Sequence, residues 1–301
     1  MSRTVTVGLD GSPESRTAAD WAAREARLRG LPLRLVHVWE PVPGPMAQAP
    51  LLGAETHRHW TERIPREAAA ELRTAHPGLE IRTEQLDGAS AAVLAEAAEE
   101  SELLVLGSRG LSGIGGFLVG SVGLSVVAHA GRPVVLVRAG ERAADEHEPD
   151  TAGTPSERTP FRPVVLGVDT AAPHDALFAF AFEEAVRRET SVRAVRAWNM
   201  PPYYVYGFAA DPTLDQEIAA QEKAALSEVL KPWRHKYPSV EVVEECEFAS
   251  PSLRMIEAAR DASLVVVGRR RRPAGYGTHV GPVTHAVLHH SAAPVAVVPH
   301  D

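Results

Sequence analysis

The sequence predicts an α/β protein made of two repeated, doubly wound domains, each a mostly parallel five-stranded sheet with helices on both faces. Three observations carry that prediction. Landmark strands recur in the same order in both halves, short apolar runs alternate with amphipathic stretches, and the 301-residue length suits two domains of about 150 residues.

The repeat is visible before any motif is sought. Thr4-Val-Thr-Val-Gly-Leu-Asp10 is answered by Pro163-Val-Val-Leu-Gly-Val-Asp169, and Arg34-Leu-Val-His-Val-Trp39 by Arg193-Ala-Val-Arg-Ala-Trp198. Leu103-Leu-Val-Leu-Gly107 returns as Leu264-Val-Val-Val-Gly268, and Arg132-Pro-Val-Val-Leu-Val137 as Ala293-Pro-Val-Ala-Val-Val298. Four landmarks in one order at nearly one spacing indicate duplication. Between the copies, Ala139 to Pro160 is rich in Glu, Asp, Pro, Gly, Ser and Thr, lacks hydrophobic periodicity and reads as a solvated linker. The domains are therefore placed at 1–138 and 161–301, with the linker at 139–160.

Within the first copy, Thr4–Leu9, Leu33–Val38, Glu80–Gln85, Leu103–Leu106 and Val134–Val137 read as parallel strands covered on both faces. Ser15–Arg29, Glu55–Ala75, Ala89–Glu99 and Val122–Ala130 carry Ala and Leu at helical spacing with charges opposite. Sheets wound in this way bind ligands at the carboxyl ends of their strands, beside the switch in strand order. The residues following strands one and four are where a site is expected.

Composition narrows the classes. With 45% hydrophobic and 23% charged residues the chain is neither disordered, collagenous nor membrane-like. Lys plus Arg number 31 against 39 for Asp plus Glu, a net charge of -8, so no global positive field gathers nucleic acid or anionic lipid and any anion needs a local site. Cys246 is the only cysteine, which excludes an intramolecular disulfide and a Cys-based zinc site and fits a reducing compartment; it reads as a buried strand residue. No apolar run approaches a membrane span, and a cytoplasmic protein is expected.

After strand four the chain reads Gly107-Ser-Arg-Gly110, nine residues, then Gly120-Ser121-Val122-Gly123. Glycines bring amides close to a ligand, and a helix opening at Ser121 offers free amides to an anion, so the segment reads as a phosphate cradle. It is not a Walker A loop, because no Gly-Lys-Ser/Thr follows, and it does not satisfy Gly-x-Gly-x-x-Gly after the first strand. Taken alone, an Asp after a strand is more often a helix N-cap or an Asx turn, and a glycine-rich loop is more often only a loop. Their joint occurrence at the mouth of one sheet favours a ligand.

This spacing, with Val7-Gly-Leu-Asp10-Gly-Ser12-Pro and Gly131-Arg-Pro-Val-Val, closely resembles the universal stress protein family in its tandem two-domain form, twice over and across nearly the whole chain. The resemblance implies a Rossmann-like fold and an ATP ligand, with the Mg²⁺ dependence left open. It places Asp10, with Gly8 and Leu9, at the adenine end, the Val38 backbone at the adenine edge, Gly107, Arg109 and Gly110 at the ribose and phosphates, and Gly120, Ser121 and Val122 at the phosphates. It implies a nucleotide-dependent stress-response regulator rather than an enzyme, since no general base beside an activated nucleophile stands out. An adenylating or ATP-hydrolysing enzyme of the same superfamily and a nucleotide-free interaction module are the alternatives. The resemblance and edge-strand logic together suggest that the last strands, Pro133–Val137 and Pro294–Val298, pair with each other, while a homodimer is left open.

The second copy departs from the pattern. Its loop reads Gly268-Arg-Arg-Arg271-Arg-Pro, continuing to Gly281-Pro282, so Arg271 stands where the second glycine would and Pro282 where the serine would. Asp169, Gly268 and Gly281 persist, but Val38 becomes Ala197. Binding here is expected to be weakened or altered, unless Arg269 to Arg272 supply charge-assisted contacts instead. Proline at a first helical position leaves the fold intact. His285 and His289, four apart, read as a plain helix face rather than a metal pair. Pro41 to Pro50 reads as a surface loop or lid, and Tyr203, Tyr204, Tyr206 and Phe208 as an aromatic loop over the domain interface.

Overall fold

The computed structural model describes residues 3–40, 54–110, 117–118, 120–199, 212–271 and 280–301. Pro41 to Pro50, the loop interior at 111–116, Tyr203 to Phe208 and Arg272 lie outside the described residues. Residues through Ala143 belong to one compact unit, and Ala144–Arg271 with Gly281–Asp301 to a second.

In the first unit the order is β1 (Val5–Leu9), α1 (Pro13–Arg29), β2 (Leu33–Trp39), α2 (Ala54–Ala75), β3 (Ile81–Asp87), α3 (Ser90–Glu99), β4 (Leu103–Gly110), β5 (Phe117–Leu118), α4 (Ser121–His129) and β6 (Val134–Arg138). The sheet runs β3-β2-β1-β4-β6 with every neighbour parallel, Val5 facing Leu33 on one side and Leu103 on the other. The chain moves outward from β1 through β2 to β3, then returns to lay β4 on β1's other flank. That reversal opens a crevice between the carboxyl ends of β1 and β4.

Local chemistry sets these elements. Ser12 caps α1 in an extended conformation, its hydroxyl accepting from the Ser15 amide, and Pro13 occupies the first turn where no amide is needed. Gly30 ends α1 in the left-handed region at φ 63°. The buried face of α1 is mostly alanine with Trp21, which lets the helix lie close to the sheet. All of β1 is buried, and Leu33, Leu35 and Val36 of β2 have no exposed surface, each contributing about 1.5–3 kcal/mol of burial.

Two strands differ from expectation. β3 lies at the sheet edge with Arg82, Thr83 and Asp87 exposed, so it is not covered on both faces. β4 continues past Leu106, because Gly107 and Ser108 pair with Val137 and Arg138 of β6 and Arg109 and Gly110 pair antiparallel with Leu118 and Phe117 of β5. The glycines that read as a loop start are thus strand residues, Gly107 paired with the distant Val137 and Gly110 with the nearby Phe117.

The second unit repeats the plan: β7 (Val164–Gly167), α5 (Asp175–Arg188), β8 (Val192–Trp198), α6 (Pro212–Lys236), β9 (Val242–Phe248), α7 (Pro251–Ala258), β10 (Leu264–Arg270), α8 (Pro282–His290) and β11 (Val295–His300), in the order β9-β8-β7-β10-β11. Pro282 opens α8 without disturbing it. Cys246 lies on β9, the edge strand, and is half-buried rather than buried; burial pushes its thiol up, and the Glu222 carboxylate pushes it further. In the interval read as linker, a 3-10 turn spans Ala143–Glu146, Glu146 and His147 are buried, and the His147 ring rests on Phe161 with centroids 4.0 Å apart.

Among the described residues, each unit buries an ion pair inside its first helix. Glu25 accepts from Arg29 Nε at 2.5 Å, with the side chains 1% and 3% exposed, and Glu184 accepts from Arg188 where both side chains are 0% exposed. Glu25 follows Asp10 by the same interval as Glu184 follows Asp169, so the pair is part of the repeat. Glu184→Gln removes the buried carboxylate that accepts from both Arg187 and Arg188 and is expected to destabilise the protein by about 3–5 kcal/mol in urea unfolding. A change under about 1 kcal/mol would show that the pair does not matter for stability.

Candidate functional site

A cavity of about 310 Å³ sits in the first unit at the carboxyl ends of β1, β2 and β4, where the strand order reverses. Gly8, Leu9, Asp10, Val38, Gly107, Gly120, Ser121 and Val122, the outermost of them more than a hundred residues apart in the chain, are brought together in its walls. Arg109 and Gly110 continue β4, their backbones paired to β5, and the Arg109 side chain lies outside the described residues. Ser12, Glu14 and Ser15 of the α1 entry also line the cavity, as do Val36 and His37 of β2, Ser90 and Leu94 of α3, Leu106 of β4 and Gly123 of α4. Ser12 lies within the Val7–Pro13 motif; His37, between two strand valines, carries no motif signal.

The acidic pole is built by the β1–α1 turn. Gly11 takes φ 82°, open to glycine, and Asp10 then accepts the Ser12 amide at 2.9 Å and the Ser12 hydroxyl on the same oxygen, Oδ1. The Asx turn is therefore real, and it coexists with a place in the cavity wall. Partial burial works to raise the Asp10 carboxyl, but hydrogen bonds from Ser12 and Ser15 outweigh it and hold the group below the usual carboxylate range.

Gly107 faces the entry of α1. A Cβ at this position would lie 2.6 Å from the Glu14 carbonyl carbon and oxygen and 2.9 Å from the Ser15 amide nitrogen. The absence of a side chain is what lets the first turn of α1 approach the end of β4.

The opposite character belongs to α4. Gly120 is its N-cap, in extended conformation with no side-chain hydrogen bond, and Ser121 and Val122 are exposed in the cavity wall. Free first-turn amides and the positive end of the helix dipole suit an anion. A Cβ on Gly120 would meet nothing within 4 Å. At α3, by contrast, Glu40 already accepts the Ser90 amide at 2.6 Å, and the Ser90 amide and hydroxyl hold the Glu40 carboxyl low.

His37 is 5% exposed, and among the described residues its Nδ1 is buried without a hydrogen-bond partner. Burial lowers its pKa below the ordinary 6.5 against the opposing pull of its own backbone and of Asp10, so the imidazole is neutral at pH 7.

The second copy turns the equivalent positions on one another. Arg196, on β8 where β2 has His37, lies 4.0 Å from Asp169 Oδ1 and donates Nε to Glu222 at 3.0 Å. Thr284, on α8 where α4 has Gly123, donates its hydroxyl to the Gly268 carbonyl at 2.9 Å. A Cβ on Gly268 would meet the His300 ring at 2.7 Å, and that ring stacks on His174 with centroids 3.9 Å apart. Of the arginine run, Arg269 and Arg270 are strand residues paired with Pro299 and His300, and Arg269 is buried. His285 and His289 are neighbours on α8 with rings 4.4 Å apart, and among the described residues no three His, Cys, Asp or Glu side chains cluster as metal ligands.

The histidines give a pH signature. His37 and His300 both have folded values lowered from 6.5, led by burial, so keeping them neutral contributes stability that is full above about pH 6.5 and lost as pH falls through the lowered values. Unfolding free energy is expected to decline between pH 7 and 5, and His37→Asn should make that decline shallower while His300 keeps its share. An unchanged slope in the variant would contradict the assignment to His37.

Comparison with known proteins agrees with this architecture. The family model described as universal stress protein family matches twice, at residues 1–138 and 160–299. A universal stress protein of Mycolicibacterium smegmatis is 32% identical over 304 residues, covering 98% of this chain and 96% of its own. One from Mycobacterium tuberculosis is 32% identical over 320 residues, covering 99% and 96%. Among solved structures, a universal stress protein from Archaeoglobus fulgidus aligns with TM-score 0.70 at 16% identity over 100% of both chains, a likeness of fold. Among the described residues no helix is long and apolar enough to cross a membrane. With both halves matched and relatives alike from end to end, the chain belongs to the universal stress protein family, as a tandem of two of its domains.

Proposed function

We propose that the first unit binds an adenine nucleotide, ATP, and that the chain acts in the cytoplasm as a nucleotide-dependent regulator of a stress response. One observation carries the reading: a helix N-terminus without a side-chain cap and an acidic pole of Asp10 with neutral His37 line the same cavity. A triphosphate suits the amides of Ser121, Val122 and Gly123, while a carboxylate repels phosphate and accepts from amino or hydroxyl groups. Val38 lies one residue past the last β1–β2 pair, Leu9 with His37, so its backbone borders the same end of the cavity as Asp10. The second unit, with Asp169 against Arg196 and the Gly268 carbonyl taken by Thr284, is read as a weak site or none.

Calorimetric titration with ATP, with and without Mg²⁺, tests this. Wild type is expected to bind one equivalent, Gly120→Trp to lose binding by at least about tenfold because the indole enters the cavity, and Gly281→Trp to bind as wild type. No saturable binding by wild type sinks the proposal, and rapid turnover releasing pyrophosphate would instead favour an adenylating enzyme.

We also propose that β6 and β11 pair with each other, since within its own unit each has one partner, β4 and β10 respectively. Co-expressed as separate polypeptides, 1–143 and 144–301 should then co-purify; separate elution would remove the proposal.

A further inference from the structure

We propose that Glu40 is a specificity-determining residue of the first-unit site: its carboxylate, bound to the amide of the cavity-wall residue Ser90, closes the start of α3 to anions and rejects nucleotides that carry a second phosphate on the nucleoside. The inference rests on the nucleotide reading above and deepens it, naming the ligand class as nucleotides phosphorylated at one end only.

Three observations carry it. Two helices begin in the cavity wall, α3 at Ser90 and α4 at Ser121, and helix starts offer their amides to anions. The α4 start has no side-chain cap, whereas at α3 the N-cap Ala89 makes none and Glu40 Oε1 takes the Ser90 amide at 2.6 Å from 50 positions earlier in the chain. An internal carboxylate thus occupies the place an anion would take, two residues beyond Val38 of the wall.

Second, that carboxylate is charged at pH 7. The Ser90 amide, and then its hydroxyl, hold Glu40 below the usual carboxylate range against the opposing effect of burial. Together with ionised Asp10 it sets two negative charges about the cavity, and both repel a further anion.

Third, the second copy lacks both halves of the arrangement. Gly88 donates its amide to the Trp39 carbonyl at 3.0 Å and Ala249 to the Trp198 carbonyl at 2.9 Å, so the two turns correspond residue for residue. In Ser90's place stands Pro251, which has no amide, and in Glu40's place Asn199, which has no charge. The carboxylate is present where the helix start has an amide to hold it and absent where it has none.

Calorimetry with AMP and adenosine 3′,5′-bisphosphate reads the charge: wild type is expected to bind AMP at least about tenfold more tightly. Glu40→Gln keeps an oxygen for the Ser90 amide but not the charge, and should narrow that ratio by about fivefold. An unchanged ratio in Glu40→Gln, or equal affinities in wild type, overturns the proposal. Inorganic phosphate tests the helix start without a nucleoside. On its addition the Ser90 backbone amide resonance should stay in place in wild type and shift in Glu40→Ala; a shift in wild type, or none in the variant, overturns the closure of α3. Failure of wild type to bind AMP overturns the nucleotide reading itself, and with it the ligand class named here, whatever the phosphate result.

Discussion

The close approach of helix α1 to the end of strand β4 is the constraint on which the site depends. Gly107 has no Cβ, and the space a Cβ would take is filled by the Glu14 and Ser15 backbone, 2.6–2.9 Å from that point. That approach sets the α1 entry beside β4, and with it the Ser12 and Ser15 groups that hold Asp10 ionised. A methyl at this position would push the helix outward and shift the acidic pole with it. Glycine therefore acts here through packing, at an ordinary backbone conformation.

The two units show how one frame supports unlike sites. Both keep the strand order, the repeated aspartate and the helix-buried Glu–Arg pair. What changes is the side-chain size around the crevice. Ser15, His37 and Gly123 in the first copy become His174, Arg196 and Thr284 in the second, and the larger or more polar groups find one another. Arg196 pairs with Glu222 and Asp169 and Thr284 bonds the Gly268 carbonyl, so at these positions the second unit satisfies polar groups internally.

Within the first cavity, charge is sorted. The uncapped α4 terminus offers partial positive charge, and the Asp10 side offers negative charge. A ligand with an anionic end and a donor-bearing end is oriented by that asymmetry alone. The protein's net charge of -8 makes the local field more consequential, because nothing global favours an anion.

Much of this was legible in the chain. The repeated landmarks predict two copies, the Val-rich runs predict buried parallel strands, and the Gly107–Gly110–Gly120 spacing with Asp10 leads to the crevice. Each rests on local pattern, where periodicity and glycine chemistry speak for themselves. Other features depend on partners far along the chain. Gly107 and Ser108 read as loop and are strand, because β6 pairs with them. β3 reads as covered and is an exposed edge. His37 reads as one more strand residue, and only the convergence of β1, β2, β4 and α4 puts it in a cavity wall. The sequence by itself determined the class of fold, its duplication and which loop could cradle an anion. The tertiary structure decided which residues meet in one cavity and which polar groups are satisfied, since both depend on distances that no local pattern encodes.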